Sequence, residues 1–255
     1  LYSGDEDGAR VAANEEELDC VAEHGGRMDL YVIPHATQST PADIARYRRR
    51  HDVGPHPNLR ALDGQPLAAR LAELEAQIRY FRQTFGGPAL ALRTHCTAWC
   101  GYMEHVEALA RCGVRMDSSY FSGSYLRRRD AAPYNPFGAA LPVRFCRPDG
   151  RLLAVYQQPV QIADDVYFAP DAGRYKDSTY SFRFTPQAFD VLAARIFRDA
   201  AERFHTPIGV CIHPGNWVAF SRLQGQALLR AAARFGLPVW SFTQWCRFWM
   251  RRDEW

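Results

Sequence analysis

Apolar positions along this chain switch between two periods. Short apolar runs at "LYSGD" (residues 1 to 5), "MDLYVIP" (28 to 34), "ALALRTH" (89 to 95), "VRMDSSY" (114 to 120) and "PIGVCIHP" (207 to 214) have the length and bounding turns of buried strands. Between them, apolar residues recur three or four apart in "NEEELDCVAEHGG", "TPADIARYRRR", "PLAARLAELEAQIRYFRQTF", "GYMEHVEALARCG" and "PQAFDVLAARIFRDAAERF", which predicts helices. Thr40 before Pro41 is a helix start, and Gly86-Gly87 closes the long helix. A further helix is predicted across 219 to 235, followed by "LPVWSF" and the terminal "TQWCRFWMRR". Strands alternating with helices, the strands apolar throughout, imply an α/β fold with a parallel sheet covered by helices.

The segment 121 to 185 breaks this alternation. It is rich in Tyr, Pro, Gly and Asp, with "RLLAVYQQPVQI" reading as strand, and is expected to be an insertion of loops and short strands in a single domain spanning 1 to 255. At 255 residues the chain has the size of a one-domain α/β barrel. The start on "LYSGDEDG", almost at once in a strand, suggests a segment of a longer chain.

Composition narrows the function. Hydrophobic residues make up 47% and aromatics 13%, enough for a large core and a ligand cleft. The net charge is +3, with Lys176 the single lysine, and the runs "RYRRR" and "LRRRD" read as solvated faces, so no nucleic-acid partner is expected. No apolar run reaches membrane-spanning length, and no signal peptide stands in this segment. Seven cysteines at irregular spacing give no disulfide framework and favour a reducing, cytoplasmic compartment, while localisation itself stays open. No glycine-rich phosphate cradle follows a strand.

Polar residues gather at strand ends. Asp5 and Asp7 end the first strand, His56 follows the third, Arg93 and His95 end the fourth, Asp117 the fifth and His213 the strand "GVCIH". Each alone reads as a cap, a loop hydrogen bond or a salt bridge. Together, in a parallel barrel, they meet on the one face where all carboxyl ends open.

In order and spacing, "SGDEDGA", "HDVGPHPN", "RTHCTAWCG", "GVRMDSSY" and "VCIHPGNW" resemble the motifs of the polysaccharide deacetylases, the NodB-type carbohydrate esterases. The resemblance covers most of the chain, being strongest through residue 120 and again from 205. It implies a distorted (β/α)7 barrel of the glycoside hydrolase/deacetylase type and one divalent metal, commonly zinc, used to remove an acetyl group from an N-acetylated sugar. Carried over, it makes Asp5 the general base, Asp7 a metal ligand, Arg93 the partner that keeps the base ionised, His213 the acid for the leaving amine and Asp117 the acid residue near it. His56 is the matching ligand and His51 a structural residue.

The family's second ligand histidine falls on Arg60 here, and a cation cannot be a ligand. His95 is the candidate replacement, two residues beyond Arg93 and so on the same side of an extended segment, with Asn58 the alternative. Trp99, Tyr120 and Trp217 are candidates for stacking on sugar rings, against the alternative of core packing. If no third ligand serves, the expectation changes to a domain that binds carbohydrate without hydrolysing it. A barrel amidohydrolase for a non-sugar amide, needing a small closed pocket, and a nucleic-acid binder using the Arg runs, needing one continuous basic face, are the other readings. The sugar, the metal and the oligomeric state are left open by the sequence.

Overall fold

Seven parallel strands and one antiparallel strand are arranged in two four-stranded sheets in the computed structural model, which describes residues 1–120, 140–162, 164–169 and 184–254. β1 (Tyr2–Asp5), β2 (Asp29–Val32), β3 (Asp52–Pro55) and β8 (Val210–Ile212) form the first sheet, in the order β3-β2-β1-β8. β4 (Ala91–Leu92), β5 (Met116–Asp117), β6 (Val143–Cys146) and β7 (Leu152–Gln157) form the second, in the order β4-β5-β7-β6. Only β6, beside β7, runs antiparallel.

The sheets approach each other at both ends. At one, Ile162 pairs with Val210 of β8, and the Cys211 N–H donates to the Ile162 carbonyl at 2.8 Å. At the other, β3 lies so near β4 that a Cβ on Gly54 would stand 2.4 Å from the Ala91 carbonyl oxygen. This glycine is required for the approach, not for its backbone angles. Gly54→Ala should therefore destabilise the fold by about 2–4 kcal/mol, since backbone must move. A chemical-denaturation midpoint equal to that of the unchanged protein would show that the two strands are not held at this distance.

The helices are α1 (Val11–Glu23), α2 (Pro41–Tyr47), α3 (Leu67–Phe85), α4 (Glu104–Arg111), α5 (Pro186–Arg198), α6 (Arg222–Arg234) and α7 (Phe242–Arg252). Local chemistry sets several ends. Thr40 and Asp43 bond each other's backbone N–H in a capping box with Pro41 in the first turn, and Ser241 and Gln244 do the same for α7. The helix expected over 186 to 204 divides into α5 and a wider π-helical turn, Asp199–Phe204, stopped by His205 in the left-handed region. The helix expected from 219 begins as a π-helical turn at Trp217–Ser221, because Ser221 Oγ donates to Asp165 and Trp217 is anchored in the core. "LPVWSF" forms no strand up to its last residue, which starts α7; its Trp240 and Val239 carbonyls accept from Tyr2 and Arg27 N–H groups.

β2 is buried along its whole length, as a strand covered on both faces must be, and Leu30, Val32, Ile44, Leu74, Ile78, Phe81 and Ile212 meet in one core. His51 is buried and its Nδ1 accepts the Met28 N–H at 3.4 Å; burial, then Arg50 and Arg27, lower it to about 4, so it is a neutral structural residue. All seven cysteines are free. Among the described residues, no helix is long and apolar enough to cross a membrane. Of the segment read as an insertion, 121–139, 163 and 170–183 lie outside the described residues, as does the "LRRRD" run. Its described part supplies β7 to the parallel sheet.

Candidate metal and catalytic site

The turn after β1 explains the order Asp-Glu-Asp. Asp7 takes φ 47° and Gly8 φ 74°, which turns the chain back on itself. Glu6, 1% exposed, leaves the cavity side and accepts from Thr37 Oγ1 at 2.8 Å and from Gly8 N at 3.2 Å. Asp5 and Asp7, either side of it, both line a cavity of about 110 Å³ at the carboxyl ends of the strands, together with His56, Arg93, His95, Cys96, Tyr120, Asp164 and His213.

Asp5 faces the buried Arg93, whose Nη1 donates to Asp5 Oδ1 at 2.8 Å. Arg93 is itself fixed by donating Nε–H to the Ser118 carbonyl at 3.1 Å and by lying over the rings of Tyr31 and Phe242. Burial works against a charge on Asp5, but Arg93, then His56 and His213, outweigh it and hold the carboxyl below its ordinary value. Asp5 is thus held as an oriented carboxylate.

Asp7 is the hub. Its Oδ1 lies 3.3 Å from His56 Nε2, and its Oδ2 lies 3.6 Å from His95 Nε2 and 3.7 Å from His213 Nε2. Burial again opposes the charge, and hydrogen bonds from His56 and His95 drive the carboxyl far below the usual range. His56 Nδ1 donates to the Arg93 carbonyl at 2.8 Å, which fixes the ring with Nε2 turned to Asp7, the atom that would face a cation bound there. His95 is carried by a tight turn in which Cys96 and Thr97 have φ of 53° and 51°, and its N–H donates to the Pro57 carbonyl at 2.9 Å.

These three donors fit a divalent cation. Tetrahedral bonds of about 2.0–2.2 Å set donor separations of about 3.3–3.6 Å, and each imidazole Nε2 stands at such a distance from one of the two Asp7 oxygens, His56 from Oδ1 and His95 from Oδ2. Donor atoms of Asp7, His56 and His95 all lie within 4.8 Å of one another. Among the described residues two other groupings come as close, Asp5 with Cys211 and His213, and Asp164 with Asp165 and His213. Both are less suited, because Arg93 already neutralises Asp5 and His213 Nδ1 is committed to Asp165 at 2.8 Å. Asp7 raises His95 to about 9, ahead of the contribution from Cys96 and against burial, and the same concentrated negative charge would attract a cation in the proton's place. Asn58 does not enter the cavity. Its Oδ1 accepts from Arg60 N, and Arg60 is exposed on a short 3₁₀ turn, Arg60–Leu62.

His213 follows β8, where Pro214 opens a helical turn. Its Nδ1 and its backbone N–H both meet Asp165, which is fully buried and also accepts from Asn216 Nδ2 and Ser221 Oγ. Burial opposes charging the imidazole, but Asp165, then Asp164 and Asp5, raise it well above its ordinary value. The protonated ring is thus favoured, with Nε2 turned to Asp7 at 3.7 Å.

Two expectations need correction. Asp117 is not the partner of His213: it accepts from Ser119 Oγ at 2.6 Å, and Ser119 Oγ in turn accepts from Thr94 N at 2.9 Å, which fixes the backbone next to Arg93. Its place beside His213 is taken by Asp165. The signal was present in "VQIADD", an apolar run ending in two acids, within the segment read as an insertion. Trp217 cannot stack on a ligand, being 1% exposed with its indole N–H donating to Glu16. Of the other aromatics, Tyr120 lines the cavity, while Trp99 stands behind it, stacked on His105 with ring centroids 4.2 Å apart and tilted against Tyr120 at 5.0 Å.

No protein-family model matches the chain, and no curated protein matches its sequence. The fold does have counterparts. It is similar to a protein from Mycobacterium smegmatis assigned to the polysaccharide deacetylases (TM-score 0.68, 17% identity, 97% of this chain and 79% of that one). It is also similar to a family 4 carbohydrate esterase from Streptomyces lividans in complex with acetate (TM-score 0.51, 10% identity, 93% and 89%). A third counterpart is BA3943 from Bacillus anthracis, a pseudoenzyme of the same family (TM-score 0.50, 12% identity, 96% and 65%). The chain has the α/β fold of the polysaccharide deacetylases, a (β/α)7-type barrel, at a sequence distance where the fold alone is shared.

Proposed function

We propose that this protein is a metal-dependent hydrolase that removes an N-acetyl group from an amino sugar or polysaccharide. The observation that carries the reading is the meeting, in one small cavity, of a base held ionised by arginine, a triad of cation donors and a histidine held cationic by a buried aspartate. The carbohydrate and the acetyl group are taken from the structural counterparts, one of which holds acetate.

Asp7, His56 and His95 would hold the cation, with zinc the expected ion given two imidazoles and a carboxylate. When bound, such an ion acts as a Lewis acid toward a carbonyl oxygen and increases the acidity of water. Asp5, kept as the carboxylate by Arg93, takes the proton from the attacking water. His213, whose Nε2 lies 3.7 Å from Asp7 Oδ2, gives its proton to the amide nitrogen as the C–N bond breaks, because an amine is too basic to leave as the anion. Asp165 fixes the ring so that Nε2 carries that proton. Tyr120 forms one wall for the sugar or acyl group.

The test pairs metal analysis with acetate release from a panel of N-acetylated sugars and oligosaccharides. The expected result is one divalent ion per chain and acetate release that a chelator stops and zinc restores. Chelator-resistant release, or stoichiometric metal with no release from any member of the panel, would sink the reading. The second outcome is the one expected of a binding domain, which is favoured by Arg60 at the family's ligand position and by the likeness to a pseudoenzyme.

A further inference from the structure

An apolar cavity lies at the other end of the barrel, away from Asp5 and His213. It opens beside Tyr2 and Ile208, at the start of β1 and just before β8, and has a volume of about 460 Å³. Its walls include Phe197, Leu228, Leu229, Leu237, Trp240 and Trp245, with Tyr2, His205 and Thr206 among the few side chains there that carry polar groups. Such a volume is in the range of small-molecule sites, and protein interiors do not ordinarily leave apolar space of this size unfilled. Its lining offers a sugar too few hydrogen bonds.

A second hollow adjoins it on the outer side of α7 and shares Trp240 and Phe248 with the first. Here the remaining walls are Gln244, Arg247, Arg251 and Arg252. Phe248 is 44% exposed and stacks on Trp245, with centroids 5.1 Å apart, at the boundary of the two spaces. Arg247 keeps a distant contact with Asp52 at 3.7 Å, and Arg252 lies over the Trp249 ring. Among the described residues, no carboxylate stands within ion-pair distance of Arg251 or Arg252. An apolar chamber thus ends, across two aromatic rings, in concentrated positive charge.

We infer that this end of the barrel binds a single-chain anionic amphiphile, a long-chain fatty carboxylate. The alkyl chain lies in the cavity between α5, α6 and Trp240, and the carboxylate meets Arg247 and Arg251, four residues apart on one face of α7. The site is independent of the metal cavity and of the activity proposed for it.

Titration calorimetry and tryptophan fluorescence with sodium dodecanoate, below its micellar concentration, test this. Saturable one-to-one binding is expected, with Trp240 and Trp245 reporting it. Arg247→Gln combined with Arg251→Gln, both exposed positions, should weaken binding about tenfold or more, and Ala201→Trp at the cavity wall should remove it. Butyrate, lacking the chain, and 1-dodecanol, lacking the charge, should bind at least about tenfold more weakly. Absence of saturable binding, dodecanol binding as tightly as dodecanoate, or an unchanged affinity in the double arginine variant would overturn the inference. So would adsorption to anionic phospholipid vesicles without binding of dispersed dodecanoate, since that would make α7 a membrane-facing surface instead of a site.

Discussion

Asp7→Ala should lose the bound metal and all acetate release while keeping its fold. Every candidate ligand contact runs through this carboxylate, at 3.3 Å to His56 and 3.6 Å to His95. Disturbing a residue that merely supports a ligand costs about 10- to 100-fold in metal affinity, so removing the shared anion should exceed that range. Asp7 stands in a turn at φ 47°, a conformation that alanine adopts at some cost. Asp7→Asn, which tolerates the left-handed region, therefore separates lost charge from lost backbone. Asn58→Ala should leave metal content unchanged, because its side chain serves the backbone of Arg60. Metal analysis by mass spectrometry, beside circular dichroism, checks the set. Full metal occupancy in both Asp7 variants, or its loss in Asn58→Ala, would move the site elsewhere.

The fold could be read from the chain because the period of its apolar residues is dictated by burial. β2, covered on both faces, shows as the continuous run "MDLYVIP", and α2 announces itself by Thr40 and Pro41. The strand-end rule also brought Asp5, Asp7, His56, Arg93, His95 and His213 to one cavity, since the carboxyl ends of parallel strands converge whatever the loops do. What could not be read were contacts that depend on where a loop returns. Asp117 sits at a strand end like the others, yet Ser119, two residues on, captures its carboxylate locally. Asp165 reaches His213 across 48 positions, from the end of "VQIADD" inside the segment read as an insertion. An aromatic near a motif says equally little: Trp217 adjoins "HPGN" but fills the space that Gly225 leaves, where a Cβ would stand 2.2 Å from its ring. Its burial was set by a helix that follows it.

His213→Ala should lower acetate release by about 10²- to 10⁴-fold, the usual worth of a positioned acid, with metal content unchanged. The pH profile tests the assignment more closely. Asp5 is held below the ordinary carboxylate value, so its basic form persists into acid, and the acid limb should fall below the usual aspartate range. His213 is raised well above its ordinary value, so its protonated form persists as pH rises, and the alkaline limb should lie above the range of a free histidine. Against burial, which lowers it, the rise comes first from Asp165. In Asp165→Asn the amide can still accept from Nδ1–H but no longer carries the charge. The alkaline limb should then move to lower pH and turnover should fall at neutral pH. Asp117→Asn should leave that limb in place, because Asp117 bonds Ser119 and not His213. An alkaline limb that moves with Asp117 and not with Asp165 would reverse the pairing. A limb that moves with neither would make another group the acid and leave His213 a structural partner of the turn after β8.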